Sequence, residues 1–259
     1  MRAADGLVGS RLPAALLVLG GLLLWETLQP FLPLFRQGTG TPWQRLRHGT
    51  GNVAFGLLNA LVIRFGFLGV WMASMEWSQA HHFGVLRWIG ASEWMRWTLA
   101  ILLLDFWTYT WHRLNHTIPL LWRFHHLHHS DRQMDVTTAS RFHLGEIVLS
   151  SLARVPLLAL LGCDLNHLAL YEILLLAVVQ FHHANIALPN SIDRLLRTVI
   201  VTPHLHKVHH SVVLAEQNSN FSSLFSWWDR AARTLRLARD LSVITFGVQE
   251  PVQEPPRRR

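Results

Sequence analysis

Apolar residues in this chain fall in long runs rather than in short alternating stretches, the pattern of helices that cross a membrane, each of which needs about 20 residues. The first run, 12–35, is broken only by Glu26 and a few prolines and closes on Leu32-Pro33-Leu34-Phe35; it is too long and wrongly closed for a signal peptide. A polar loop over 36–51 leads to a second run at 52–74, in which Arg64 must snorkel or find a partner. The stretch 75–93 mixes Trp and His with apolar residues and reads as interfacial. A third run, 94–111, passes straight into His112 and His116, and Pro119, which lacks a backbone donor, closes it. Beyond a polar, histidine-rich segment at 120–144 come two shorter apolar runs, 146–161 and 165–179, separated by Gly162, Cys163 and Asp164. They form either a tight transmembrane hairpin or a re-entrant pair, and Arg154 weakens the first. From Pro189 the chain is amphipathic and soluble in character.

The expected fold is therefore an all-α integral membrane protein with about four transmembrane helices and a cytoplasmic, helical, histidine-rich metal-binding cap. N-terminal membrane helices occupy 1–102, a catalytic region 103–234, and a partly disordered tail 235–259. Composition supports this: half the residues are hydrophobic, 15% are charged, and mean hydropathy is +0.22. The net charge of +7 raises nucleic acid as a partner, but the arginines are scattered among apolar spans, which excludes it in favour of headgroup and positive-inside charge. Arg113, Arg123, Arg132 and Arg141 follow the third run, and Arg194 and Arg197 follow the hairpin, whose tip carries none. Every histidine cluster is thereby expected on the cytoplasmic side. Cys163 stands alone, so neither a disulfide framework nor a cysteine metal site exists.

The chemistry lies in the histidines. His112 and His116 form H-x-x-x-H; His125, His128 and His129 form H-x-x-H-H; His206, His209 and His210 repeat that triad. On a helix, positions three and four apart share a face, and two imidazoles so placed can grip one ion. Eight such nitrogens exceed what one open metal site takes and suit two ions. His126 and His129 also sit three apart; the register through His125 is chosen because it matches the downstream triad.

With 121–130 in view (Leu121-Trp122-Arg123-Phe124-His125-His126-Leu127-His128-His129-Ser130), the chain resembles the fatty acid hydroxylase/sterol desaturase superfamily of membrane di-iron enzymes, in its bacterial branch. Further matching stretches are Thr137-Thr138-Ala139-Ser140-Arg141-Phe142-His143, Phe181-His182-His183-Ala184-Asn185, Thr202-Pro203 and Trp228-Asp229-Arg230. Two departures stand out: Leu144 where the branch has proline, and Ala232-Arg233-Thr234 where it has Phe-Gly-Thr. The resemblance implies a ninth ligand, His183, with His182 its non-ligating neighbour. It leaves His143 and His204 as structural residues near the site.

It further implies two iron ions, with zinc able to substitute, O2 as co-substrate, and hydroxylation or desaturation of a C–H bond in a lipid such as a sterol or fatty acyl chain. Electrons must come from a separate donor, cytochrome b5-like or a ferredoxin with its reductase, because the chain has no flavin or nicotinamide motif. Asp131, Asp135, Glu146, Asn185 and Asn220 are candidates to orient the ligands through their ring N–H groups. Asp105, an acid inside the third run, is expected to be functional or to hold Arg64 or Arg113. Two other classes compete: a zinc-dependent membrane hydrolase, which needs an activated water and no reductant, and a non-catalytic metal-binding membrane protein.

Overall fold

Thr41 caps the helix that opens at Pro42. Its hydroxyl accepts from Gln44 N and Gln44 Oε1 accepts from Thr41 N, a reciprocal cap closed by Pro42 in the first helical turn. The computed structural model describes residues 2–34, 40–90, 92–238 and 240–249. Ahead of this cap lies α1 (Arg2–Leu28). α2 (Pro42–Val62) continues through a π turn (Ile63–Phe67) into α3 (Leu68–Ala80).

The chain reverses at Gly84 (φ +114°), just before the short α4 (Val85–Trp88). A Cβ on Gly84 would lie 2.5 Å from the backbone of Gly162, so these two turns meet main chain to main chain, which only glycine permits. Gly162 itself ends α7 (Leu144–Leu161) in the left-handed conformation, and Asp164 then caps α8 (Leu165–His183) by accepting from Asn166 N and His167 N. The hairpin tip and the α3–α4 turn are thereby fixed together at the end of the bundle away from the histidines. A core of Trp71, Met75, Leu104, Leu158, Leu168 and Tyr171 packs above them.

α5 (Glu93–Thr117) ends where Ile118 turns extended ahead of Pro119, which opens α6 (Pro119–His129). α7 (Leu144–Leu161) and α8 (Leu165–His183) form the hairpin; α9 (Asn190–Leu196) and α10 (Pro203–His209) follow. Among the described residues there is no sheet, only isolated bridges. Residues 240–249 pack back on α10, Phe246 pairing with Ser211 and Gly247 N donating to His210 O. The tail from Glu250 lies outside the described residues.

Among the described residues, three helical stretches are long and apolar enough to cross a membrane: Pro42–Trp88, Leu144–Leu161 and Leu165–His183, with a shorter apolar one at Ala15–Leu28. At 1.5 Å per residue the 18 and 19 residues of the hairpin helices reach about 27–29 Å, close to a hydrocarbon thickness of about 30 Å. These features mark a membrane protein. The expected run 94–111 lies within α5 but is not among the three, since its Trp, Thr and Tyr residues and Asp105 lower its hydropathy.

The charges inside the spans are accounted for differently from expectation. Arg154 donates to Glu172 across the hairpin at 2.8 Å and lies over the Trp71 ring at 4.9 Å. Arg64 is exposed, 6.0 Å from the Phe65 ring. Asp105 holds neither Arg64 nor Arg113. It accepts from Leu224 N (3.3 Å), Phe225 N (3.0 Å), Trp228 Nε1 (2.7 Å) and Tyr171 OH (3.4 Å), pinning 224–228 to α5.

Candidate metal centre

Four helices deliver their histidines to one end of the bundle. α5 brings His112 and His116 a turn apart, α6 carries its three near its C-terminal end, α8 ends on His183, and α10 carries His206 and His209 with His210 just beyond. They converge as two groups: His112, His116, His125, His129 and His209 in one, His128, His183, His206 and His210 in the other. Within each, one ring nitrogen from every member lies within 4.8 Å of the others.

All nine residues singled out from the sequence are thus brought together, but each triad is split rather than aimed to one side. His125 and His129, four apart, serve the first group and His128 the second; His206 and His210 serve the second and His209 the first. His126 is exposed and belongs to neither group. His182 packs its ring 3.8 Å from that of His206 but belongs to neither group. His143 caps α7 by accepting from Gly145 N, and His204 lies 3.8 Å from Asp193.

Three of the rings are oriented by main-chain carbonyls. His112 Nδ1 donates to Phe221 O (2.8 Å), His209 Nδ1 to Ser219 O (2.7 Å) and His183 Nδ1 to Val179 O (2.7 Å). Each bond fixes the proton on Nδ1 and turns the Nε2 lone pair to the centre. The Nε2 atoms of His112 and His209 are 3.0 Å apart, those of His183 and His206 3.0 Å, and those of His206 and His210 3.1 Å. One carboxylate acts the same way: Glu146 Oε1 accepts from His125 Nδ1 at 2.9 Å and from Asn115 Nδ2 at 3.1 Å.

The other four orienting candidates do other work. Asp131 and Asp135 flank His48 (2.9 and 3.3 Å), Asn185 ties the end of α1 through Leu32, and Asn220 bonds Leu205 O and Arg236. Glu26, read only as an interruption of the first run, is a buried anchor: it accepts from Val136 N, Asn185 N and Arg45, joining α1 and α2 to the histidine end.

The donor set fits metal ions. His116 Nδ1 and Nε2, His125 Nε2 and both ring nitrogens of His129 are buried with no hydrogen-bond partner in the protein, an arrangement that costs about 1–3 kcal/mol per group unless something satisfies it. Burial holds the imidazoles of His128, His129, His206 and His210 well below their usual range and takes His209 down to about 3. They are neutral at pH 7, the state a ligand requires.

A pH dependence follows. Above 6.5, the ordinary value of these rings, folded and unfolded chains both carry them neutral. As pH falls through that value the unfolded chain takes up protons that the folded chain does not. Stability therefore drops as the pH falls further. The thermal unfolding midpoint in detergent is expected to decline from about pH 7 to about pH 5, and a flat profile would contradict this.

A cavity of about 350 Å³ opens onto both groups. His112, His125, His128, His183 and His206 line one side, and Ile63, Trp111, Leu175, Leu176 and Val179 form an apolar wall. Glu172, which the sequence reading passed over, also lines it. An acid embedded in the apolar run 168–179 was the available signal.

Comparison with known proteins places these features. Ornithine lipid hydroxylase OlsE of Rhizobium tropici is 29% identical over 217 residues, 82% of this chain and 63% of that protein. Human alkylglycerol monooxygenase is 26% identical over 216 residues, 82% of this chain and 46% of that protein. The C-4 methylsterol oxidase erg25 of Schizosaccharomyces pombe is 32% identical over 144 residues, covering 53% and 46%. The chain thus spans less than two thirds of the length of these relatives. No solved structure matches. The model of the fatty acid hydroxylase family matches 97–234, more than half of the chain and the segment that carries all nine converging histidines. The chain belongs to the fatty acid hydroxylase family.

Proposed function

We propose that this protein is a membrane-bound oxidoreductase that uses O2 and two electrons from a separate donor to hydroxylate or desaturate a C–H bond of a membrane lipid. The observation that carries the reading is the pair of neutral, buried, all-imidazole groups opening onto one apolar cavity between membrane-crossing helices. Relatives named for hydroxylation of ornithine lipid and monooxygenation of alkylglycerol support the substrate class. For hydroxylation, R–H, O2, two electrons and two protons give R–OH and water.

In this reading His112, His116, His125, His129 and His209 hold one iron ion and His128, His183, His206 and His210 the other, with zinc able to substitute. Bound iron supplies the activation of O2. The protein's own part is orientation and exclusion. Phe221 O, Ser219 O, Val179 O and Glu146 fix the rings; Leu175, Leu176 and Val179 hold the hydrocarbon and keep bulk water out. The donor is cytochrome b5-like or a ferredoxin with its reductase. The chain crosses the membrane several times with its histidine end cytoplasmic, as Arg113, Arg123 and Arg132 at that end favour.

The test compares lipids, by mass spectrometry, from cells with and without the active protein. One lipid is expected to gain an oxygen or lose two hydrogens; unchanged lipids in cells holding inserted, iron-loaded protein would overturn the reading. Glu146→Gln is expected to keep the protein folded while weakening metal retention by about 10–100-fold, because His125 loses its charged acceptor. Chelator competition on the purified protein measures this, and unaltered retention would remove Glu146 from the account.

A further inference from the structure

α9 is built the opposite way round from a helix on a soluble surface. Its polar side faces the protein: Asp193 is buried, accepts from Thr202 Oγ1 at 2.6 Å and pairs with Arg197 at 3.1 Å. Its apolar side faces away. Ile192, Leu195 and, in the turn that follows the helix, Val199 are three and four positions apart and therefore share one side; all three are exposed, Leu195 most, at 71%. Trp227 extends the patch. Ser226 N donates to Val199 O, the Trp227 indole N–H is taken up by Thr198 O at 2.9 Å, and Phe225 stacks on the ring at 4.5 Å, yet the ring stays exposed.

Charge around the patch has one sign. Between 190 and 238 the acids are Asp193, Glu216 and Asp229, of which the first and last are buried and Glu216 is half-buried. Arg194, Arg230, Arg233 and Arg236 are exposed. Arg194 adjoins Leu195 on α9, and Arg230 donates to Arg197 O, so two guanidinium groups border the apolar residues.

The patch also has a fixed place along the bundle. Leu224 N, Phe225 N and Trp228 Nε1 donate to Asp105, which precedes His112 by seven residues, about 10 Å of α5. Tyr171 donates to the same carboxylate and lies within α8, twelve residues before His183 on a helix able to cross a membrane. Segment 224–228, and with it the patch, is thereby held beside the bundle on the membrane side of the histidines. Water is a poor neighbour for four apolar side chains. At the edge of a bilayer they meet hydrocarbon, the indole sits at the level tryptophan favours, and the arginines meet phosphate.

We propose that α9, the turn after it and Trp227 form a membrane contact separate from the crossing helices, which sinks Ile192, Leu195, Val199 and Trp227 into the edge of one leaflet and binds the phosphate of anionic lipids through Arg194 and Arg230. This contact is independent of the reaction at the histidines.

Because Cys163 is the one cysteine in the chain, a Cys163→Ala background accepts a single label. Leu195→Cys, and for comparison Asn218→Cys at an exposed polar position, are labelled with the fluorophore NBD, and the full chain is placed in nanodiscs of phosphatidylcholine with a third phosphatidylglycerol. Doxyl-labelled phosphatidylcholine should quench the label at 195 at least about threefold more than that at 218, and aqueous iodide should do the reverse. Iodide quenching at 195 equal to that at 218 overturns the proposal. So does protection of 195 from both quenchers, which means that protein covers the patch, a second copy if light scattering gives a doubled mass. Doxyl-labelled phosphatidylglycerol should quench 195 about twofold more than doxyl-labelled phosphatidylcholine at equal mole fraction, and Arg194→Gln with Arg230→Gln should abolish that difference. Equal quenching with both arginines present, or a difference that survives their replacement, overturns the phosphate assignment. Should Leu195→Cys fail to insert, Val199→Cys on the same side carries the measurement.

Discussion

Replacing His128 with alanine is expected to lower lipid oxidation by roughly a thousandfold, about 4 kcal/mol on the barrier, while the protein stays inserted. The residue lies at the end of α6, beside His129, and successive helical positions point about 100° apart. Its ring meets His183 at Nε2 distance 3.2 Å and sits in the four-histidine group; that of His129 sits with His112, His116, His125 and His209. Two adjacent alanine substitutions should therefore empty different halves of the centre. His128→Ala removes one of four donors and is expected to leave about one firmly held ion per chain; His129→Ala removes one of five and weakens the other site. His126→Ala, on the exposed face of the same turn, should change neither metal content nor turnover. Elemental analysis and lipid mass spectrometry on the three variants check this. Full metal content and full activity in His128→Ala would contradict the two-group arrangement.

Asp105→Ala should cost about 3–5 kcal/mol of stability, because it removes a buried carboxylate and strands its donors. Leu224 N, Phe225 N and the Trp228 indole all point at that side chain, and each loses its acceptor. The damage should spread to the metal centre by a short route. The segment that Asp105 pins continues from Ser219 and Phe221, whose carbonyls orient His209 and His112, and Asp229 holds Phe221 N and Ser222 N at 2.9 Å from the other end. Limited proteolysis is therefore expected to cut Asp105→Ala near 219–234 well before wild type, with metal loss from the five-histidine group. Arg64→Ala and Arg113→Ala should unfold like wild type. A marked loss in Arg113→Ala beside a silent Asp105→Ala would mean that the acid serves an ion pair after all.

The difference between these two residues measures what the chain makes legible. Histidine spacing is a local signal: three or four residues apart is one helix face wherever the helix goes, so eight of the nine converging rings were visible from spacing, and His183 through its resemblance to the family. Which ring joins which group depends on how α6 and α10 are rotated against each other, and that is set by packing between segments some 80 residues apart. Asp105 announced itself as an acid in an apolar run, yet two of its partners are main-chain N–H groups more than a hundred positions away, and a backbone donor has no sequence signature. For the same reason Ser219 and Phe221, which act through carbonyls, were invisible, and Asp131 and Asn220 drew attention that belonged to them. Arg154 and Glu172 were each readable as misplaced charges; only the hairpin, which folds α7 onto α8, makes them a pair. Asp164 and the left-handed Gly162 lie at the boundary that hydropathy marked between the two hairpin runs, whereas Thr41 starts its helix well before the apolar run at 52, inside the expected polar loop, because its cap with Gln44 and Pro42 is a local signal that hydropathy does not see.

The central claim is that the histidine end of this protein spends O2 and reducing equivalents on a lipid C–H bond. Purified, iron-loaded protein in nanodiscs, given native lipid extract and a chemical reductant under labelled dioxygen, tests it in one run. The account predicts a lipid product that carries oxygen from the gas, or has lost two hydrogens, and that does not form under argon or without reductant. A product that forms equally well without O2, taking its oxygen from water, would contradict it and make the site a hydrolase.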